Sequence, residues 1–427
     1  MPSPELHRYR LANGLRVVLA PNRTIPVVGV SVHYDVGFRS EPEGRTGFAH
    51  LFEHLMFQGS ESLEKLAHFR HVQSSGGMFN GSTHPDYTDY FEVLPSAALE
   101  RALFLEADRM RAPKITEENL HNQIDVVKEE IRLNVLNRPY GGFPWILLPP
   151  VLYQTFPNAH NGYGDFSELE SATLDDCASF FDTYYAPGNA VLTVSGDFTL
   201  AQAQDLVERH FGDVPARPVP VRPSFDEPRP TAELRGEHPD PHAPLPAFAV
   251  GYRLPDPVAE LDSYLAYVVL SSVLTDGDSS RLQRRMVQTD ALVTDVSTGC
   301  GLFGSPLDAR DPDTFTVTAT HTPDVPTDRV LGVLDEELEL LAANGPDTDE
   351  LARVTARWTA SLHRDNDRII SRTLGYGSLE LLQGQPKLAD DLPQLVARVT
   401  QEDVSAAAKA LRPDSRAVLI VKPGGAA

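Results

Sequence analysis

Apolar positions along the chain fall into two kinds of pattern. Some recur every three to four residues, and others form short continuous or alternating runs. Between residues 47 and 57, Phe48, Leu51, Phe52, Leu55, Met56 and Phe57 have helical spacing. Between 119 and 133, Leu120, Ile124, Val127 and Ile131 make the apolar stripe of a second helix. Near the start, Asn13-Gly14 between alternating apolar residues predicts a hairpin over residues 9–18. A helix over 173–185 leads into a strand at 190–194, and a helix over 400–411 leads into a strand at 417–421. The helices begin at Thr173 and Thr400, each followed three residues later by an Asp, a capping-box-like start. Thr173 and Thr400 are 227 residues apart, as are Ala190 and Ala417. This gap-free offset predicts an internal repeat. A stretch holding Pro215, Pro218, Pro220, Pro223, Pro228, Pro230, Pro239 and Pro241 separates the copies and reads as a semi-rigid linker. The expected organisation is an N-terminal half over 1–214, a linker over 215–241 and a C-terminal half over 242–427. The second half opens with an apolar strand at 248–252 and a helix at 262–274, in the place of the 47–57 helix.

Three ionisable residues interrupt the apolar pattern of the 47–57 helix: His50, Glu53 and His54. Positions i and i+4 lie on one helix face, so His50 and His54 can address one metal ion, with Glu53 beside them. Two histidines at this spacing do not by themselves make a site. Burying three such groups unpaired would, however, be costly, and a metal would remove that cost. The order His-x-x-Glu-His is a zinc-hydrolase signature. Catalytic zinc usually takes three protein ligands and keeps one position open. Glu129 and Glu130 on the second helix are candidates for the third. Adjacent residues point about 100° apart, so only one of them would reach the ion, and spacing alone also admits a plain acidic face.

Taken with Asp125-Val126-Val127-Lys128-Glu129-Glu130, 76 residues beyond His54, these motifs resemble the pitrilysin/insulysin superfamily of zinc metallopeptidases. The similarity is to its short-chain branch, which includes the mitochondrial processing peptidase β subunit and bacterial relatives. The resemblance implies that zinc is held by His50, His54 and Glu130, with Glu53 as general base. It also implies an α+β fold of two homologous halves, each an antiparallel-rich sheet covered by helices. Residues 76–90 are similar to the family's active-site edge strand, which implies that Phe79, Asn80, Gly81 and Ser82 bind substrate by strand pairing. Residues 160–164 and 182–190 match as structural segments. Where many members carry an acid, seven residues before the ligand Glu, this chain has Gln123, which cannot act as a base. In the second half Val268, Ser271 and Ser272 stand near the ligand positions, so no metal is expected there. Family members often place an Arg and a Tyr seven residues apart after a Ser-Arg-Leu motif, to hold substrate near the zinc. Here Ser280-Arg281-Leu282 is followed by Val287 and Thr294 at those positions, and Tyr is absent between Tyr267 and Tyr376. The implied partner is a homologous subunit that supplies the Arg/Tyr pair, with a homodimer as the alternative.

The chain has 427 residues, enough for two cores, and a net charge of −23. That charge argues against nucleic acid and against anionic membranes. Cys177 and Cys300 are too few for a disulfide framework. Residues 1–7 lack the pattern of a targeting signal. Together these features predict a cytoplasmic protein. The function expected from the sequence is that of a zinc-dependent endopeptidase. It would cleave peptides or unfolded segments bound in extended form inside a clamshell chamber, as the catalytic subunit of a heterodimer. The alternative is a non-catalytic structural or chaperone-like member of the same family. A small-molecule hydrolase or lyase built on a similar helix is disfavoured by the length and the two-half organisation.

Overall fold

The computed structural model describes residues 4–424. The first three positions of the stretch inspected for a targeting signal lie outside the described residues, as do 425–427. Six strands form the first sheet: β1 (His7–Arg10), β2 (Arg16–Pro21), β3 (Val27–Tyr34), β4 (Met78–Thr83), β5 (Thr88–Pro95) and β6 (Ala190–Gly196), in the order β1-β2-β6-β3-β5-β4. Five form the second: β7 (Leu234–Asp240), β8 (Ala247–Arg253), β9 (Val293–Cys300), β10 (Thr314–His321) and β11 (Arg416–Pro423), in the order β7-β11-β8-β10-β9. Setting β1 aside, the sheets correspond strand for strand. Each has one parallel pair, β2 with β6 and β7 with β11, and its other pairs are antiparallel. The helices Leu174–Tyr184 and Gln401–Ala410 precede β6 and β11, and both begin with complete capping boxes, Thr173/Asp176 and Thr400/Asp403. The two-half α+β architecture therefore rests on equivalent topology as well as on equivalent caps.

The predicted hairpin is β1–β2, with Tyr9 opposite Val17. Its connection is longer than a two-residue Asn-Gly turn. The Leu11 amide bonds to the Leu15 carbonyl, Gly14 takes φ +95°, and the Asn13 side chain donates to the Phe211 and Val214 carbonyls.

By their internal contacts the residues group into two compact units, neither continuous in sequence. One comprises Met1–Glu129, Gly162–Pro223 and His363–Asp391; the other comprises Glu130–Asn161, Ser224–Leu362 and Leu392–Ala427. This differs from the partition at 214 and 242 in two ways. First, repeat-equivalent segments are exchanged. The helix Ile369–Gln383 packs on β3 and β6 of the first unit. In the second unit, Leu148, Leu152 and Tyr153 pack with Ala249, Ala417 and Leu419 of β8 and β11. Strands β6 and β8 are buried along their whole length and β3 over all but its first residue, so both faces of each sheet need cover. Close approach is possible because Gly29 has no side chain: a Cβ there would lie 2.4 Å from Thr373 Oγ1. Second, the Pro-rich stretch is divided between the units, and its end forms β7. That strand lies at the edge of its sheet, where Pro239 is tolerated.

The helix Phe48–Leu55 lies between β3 and β4, and Leu261–Thr275 lies between β8 and β9, the same place in the second half. The second helix is buried from Tyr264 through Leu274, including Val268, Ser271 and Ser272. It is apolar nearly all round, as a core helix is.

Candidate metal centre

The helix Phe48–Leu55 has eight residues, too few to persist without tertiary support. Its start is held by Glu41, whose carboxylate accepts from the Gly47 amide at 2.9 Å and the Ala49 amide at 2.7 Å. An acid here also complements the helix dipole. Gly47 takes φ +84°, and a Cβ on it would meet the Tyr163 carbonyl oxygen at 2.6 Å. The apolar face is anchored by Phe52, whose ring lies 4.8 Å from Phe180 and 5.3 Å from Tyr185. The Tyr90 hydroxyl donates to the Phe52 carbonyl at 3.3 Å. His50 is buried, while Glu53 and His54 are half-buried. The two imidazoles are perpendicular, with centroids 4.9 Å apart, and the Tyr163 ring stands edge-on to His50 at 4.9 Å.

The second predicted helix runs Glu117–Ile131, with Leu120, Gln123, Ile124, Val127 and Ile131 buried. Its final turn exposes Glu129 and half-buries Glu130. One ligand atom each from His50, His54 and Glu130 lies within 4.8 Å of the others. The division into compact units passes through this last turn, so the continuous helix carries Glu130. Gln123, two turns earlier, donates to the Asn122 side chain.

Phe79, Asn80, Gly81 and Ser82 all lie on β4, the edge strand of the first sheet. Their side chains differ in surroundings. Phe79 is half-buried, stacks on Phe69 at 4.6 Å and belongs to an aromatic cluster. Asn80 is exposed. Gly81 faces the helix, and a Cβ there would lie 3.0 Å from Glu53 Cγ. Thr83, at the end of the strand, donates from Oγ1 to Glu53 Oε2 at 2.7 Å.

Two imidazole nitrogens and a carboxylate oxygen are the donor types of a three-ligand catalytic zinc site, and their convergence fits that ion. A family model described as "Insulinase (Peptidase family M16)" matches residues 16–138, a span that contains His50, Glu53, His54 and Glu130. A model described as "Peptidase M16 inactive domain" matches residues 171–357. The chain is 31% identical over 333 residues to a zinc protease of Helicobacter pylori named PqqE, covering 75% of this chain and 71% of that protein. The chain belongs to peptidase family M16. An uncharacterized zinc protease of Bacillus subtilis, YmxG, is 25% identical over 427 residues, 98% of this chain and 99% of its own length. The crystal structure of a protease from Helicobacter pylori superposes with a TM-score of 0.89 at 26% identity, covering 98% of this chain and all of that one. The family resemblance read from the motifs and the α+β architecture are thus both shown. The M16 relatives are named as zinc proteases, which supports a zinc-dependent peptidase as the general class.

This M16 chain has a second His–carboxylate cluster, formed by His68, Glu92 and Glu106, with equally close ligand atoms and complete burial. His68 Nε2 lies 2.7 Å from Glu92 Oε1, and Arg109 donates to Glu106. The guanidinium lies 4.2 Å from the Tyr90 ring centroid and 4.9 Å from that of Phe57. Burial, aided by Arg109, pushes the His68 imidazolium down to about 3. Burial also raises Glu92, and lifts Glu106 to about 8 against the pull of Arg109. Burial disfavours the Arg109 charge as well, but Glu106 and Glu92 hold that arginine above its usual value.

Sequence reasoning missed Glu41, Thr83, Tyr163 and this second cluster. Glu41 stands six and eight residues before the amides it caps, outside the usual capping windows. Thr83 lies one position beyond the four strand residues singled out. Tyr163 falls in a segment read as structural. His68, Glu92 and Glu106 are spaced too widely for any local pattern.

Proposed function

We propose that this M16 chain is a zinc-dependent endopeptidase acting on peptides or unfolded segments held in extended form. The observation that carries the reading is the convergence of His50, His54 and Glu130 beside Glu53 and an edge strand. Zinc bound by these three residues would polarise a peptide carbonyl and lower the pKa of water to about 7. Glu53 accepts the proton of the attacking water and delivers it to the leaving amine, the work of a general base and then acid. The backbone of β4 at Phe79, Asn80, Gly81 and Ser82 pairs with the substrate strand, which orients the scissile bond with little demand on side chains. Phe57 and Phe69 flank Phe79 and keep the strand in place.

The chain acts with a partner of similar fold. Val287 and Thr294 stand where the family's substrate-holding Arg and Tyr are expected. Thr294 is exposed on β9, the second-sheet counterpart of β4, and a second subunit would supply the missing pair. The compartment is a reducing one, the cytoplasm, consistent with two buried free cysteines. Among the described residues, no helix is long and apolar enough to cross a membrane.

The test is cleavage of a mixed peptide library by the zinc-loaded chain, with and without the product of a neighbouring homologous reading frame. Cleavage that needs both zinc and the partner supports the heterodimer. Zinc-dependent cleavage by the chain alone replaces it with the homodimer. Zinc binding without cleavage in either case favours the non-catalytic, chaperone-like alternative.

A further inference from the structure

We infer that strand β4 has a second task besides presenting its edge: Gly81 and Thr83 form a seat that fixes the carboxylate of Glu53. The inference rests on the reading of Glu53 as proton acceptor and goes beyond it, because it assigns positioning roles to two residues of another element. In a strand, residues i and i+2 point to the same face, so Gly81 and Thr83 both face the Phe48–Leu55 helix. Gly81 leaves room for the Glu53 stem. An added Cβ would stand 3.0 Å from Glu53 Cγ and 3.2 Å from the Tyr90 ring, too tight without a shift. Tyr90 cannot easily give way, since it is fully buried with Arg109 stacked on it and its hydroxyl on the Phe52 carbonyl. The displaced group would therefore be Glu53. Thr83 supplies the opposite constraint. Its Oγ1 donates to Glu53 Oε2 at 2.7 Å, selecting one orientation of the carboxylate. Gly81 lies outside the positive-φ glycines of the chain, so its smallness, not backbone freedom, is what the site uses.

A hydrogen bond to a carboxylate matters most where a long side chain must be held in one rotamer for reaction. Thr83 and Gly81 are positioning residues: they act through Glu53. A strand that both seats the base and pairs with substrate also fixes the base relative to the scissile bond.

The test is a set of single and double variants in the zinc-loaded protein, with its partner if cleavage requires one. Thr83→Val should lower kcat about 10- to 100-fold, the range for a lost hydrogen bond to a charged group. KM and zinc content should stay within about twofold, and Thr83→Ser should restore most of the rate. Gly81→Ala should lower kcat similarly. On a Glu53→Gln background, Thr83→Val should cost less than about twofold in residual rate, because its effect passes through the carboxylate. Peptide affinity, measured by fluorescence polarisation on the Glu53→Gln protein, should not change when Thr83→Val is added. A full loss of kcat on both backgrounds, a rise in KM matching the loss of affinity, or unchanged kcat in Thr83→Val would each overturn the seat. If Glu53→Gln itself keeps normal turnover, the reading of Glu53 fails first and the seat falls with it.

Discussion

Two His–carboxylate clusters among the described residues bring their ligand atoms within 4.8 Å of one another and differ in nearly everything else. His50, His54 and Glu130 sit at a helix face and a helix end, partly open, beside an edge strand. His68, Glu92 and Glu106 are sealed, and Arg109 is already among them as a resident cation. Burial has driven the second set towards neutral forms, lowering His68 and raising both glutamates. A divalent ion entering there would have to displace or repel Arg109 and would find no room for substrate. Closeness of ligand atoms does not make a metal centre. On the proposed reading, the partial exposure of one cluster and the resident arginine of the other decide which would take the ion.

The comparison is broken most directly at the ligands. Glu130→Gln should reduce zinc affinity by more than about 100-fold, beyond the cost of losing an outer supporting bond, and should abolish cleavage. Glu129→Gln, at the exposed neighbour, should leave both intact. Equal losses in the two variants, read by isothermal titration with zinc, would mean that the last helical turn is not arranged as described.

The next largest effect belongs to the sealed cluster. Arg109→Met removes its cation and should destabilise the fold by about 3–5 kcal/mol, as broken buried pairs do, with zinc affinity unchanged. Denaturant unfolding of the metal-free protein measures it. A loss of zinc without a loss of stability would reverse the roles assigned to the two clusters.

The smallest effect is the pH dependence of that stability. Glu106 binds its proton more tightly folded than unfolded, so its contribution is complete below about 4.5 and is lost as pH rises to about 8. His68 is depressed from 6.5 to about 3, so its contribution is complete above 6.5 and is lost as pH falls towards 3. The slopes of Glu106 and His68, each on the order of 1 kcal/mol per pH unit, offset one another between 4.5 and 6.5, while Glu92, also raised by burial, adds a further decline above 4.5. The cluster should therefore favour folding most near about 4.5, with decline on either side. Glu106→Gln should lessen the decline between 6.5 and 8, and an unchanged slope there would exclude Glu106 as a source of it.

Much of this was legible in the chain, because local signals coincided with tertiary ones. The Thr173 and Thr400 caps recur at a fixed offset because both halves build the same helix-to-strand step. The His50/His54 spacing is visible because one helix turn sets it. Periodicity alone could not choose Glu130 over Glu129, and the preference for it came from the surrounding Asp-Val-Val motif; the structure half-buries Glu130 near both imidazoles and exposes Glu129. The exchanged segments were not legible. Nothing local in residues 130–161 or 363–391 says which sheet they will cover, and only the packing of Thr373 against Gly29, or Leu148 and Leu152 against Gly251, reveals it. The His68–Glu92–Glu106–Arg109 group was hidden for the same reason, because two helices and a strand bring it together. The Pro-rich stretch was misleading at its end, where β7 exploits an edge position that spares Pro239 a ladder bond.

The most direct test of the central claim is zinc stoichiometry, measured by atomic absorption after dialysis on the parent chain and on His54→Ala and His68→Ala. The account predicts one zinc per chain in the parent, none in His54→Ala and one in His68→Ala. Zinc retained by His54→Ala, or lost only from His68→Ala, would contradict it.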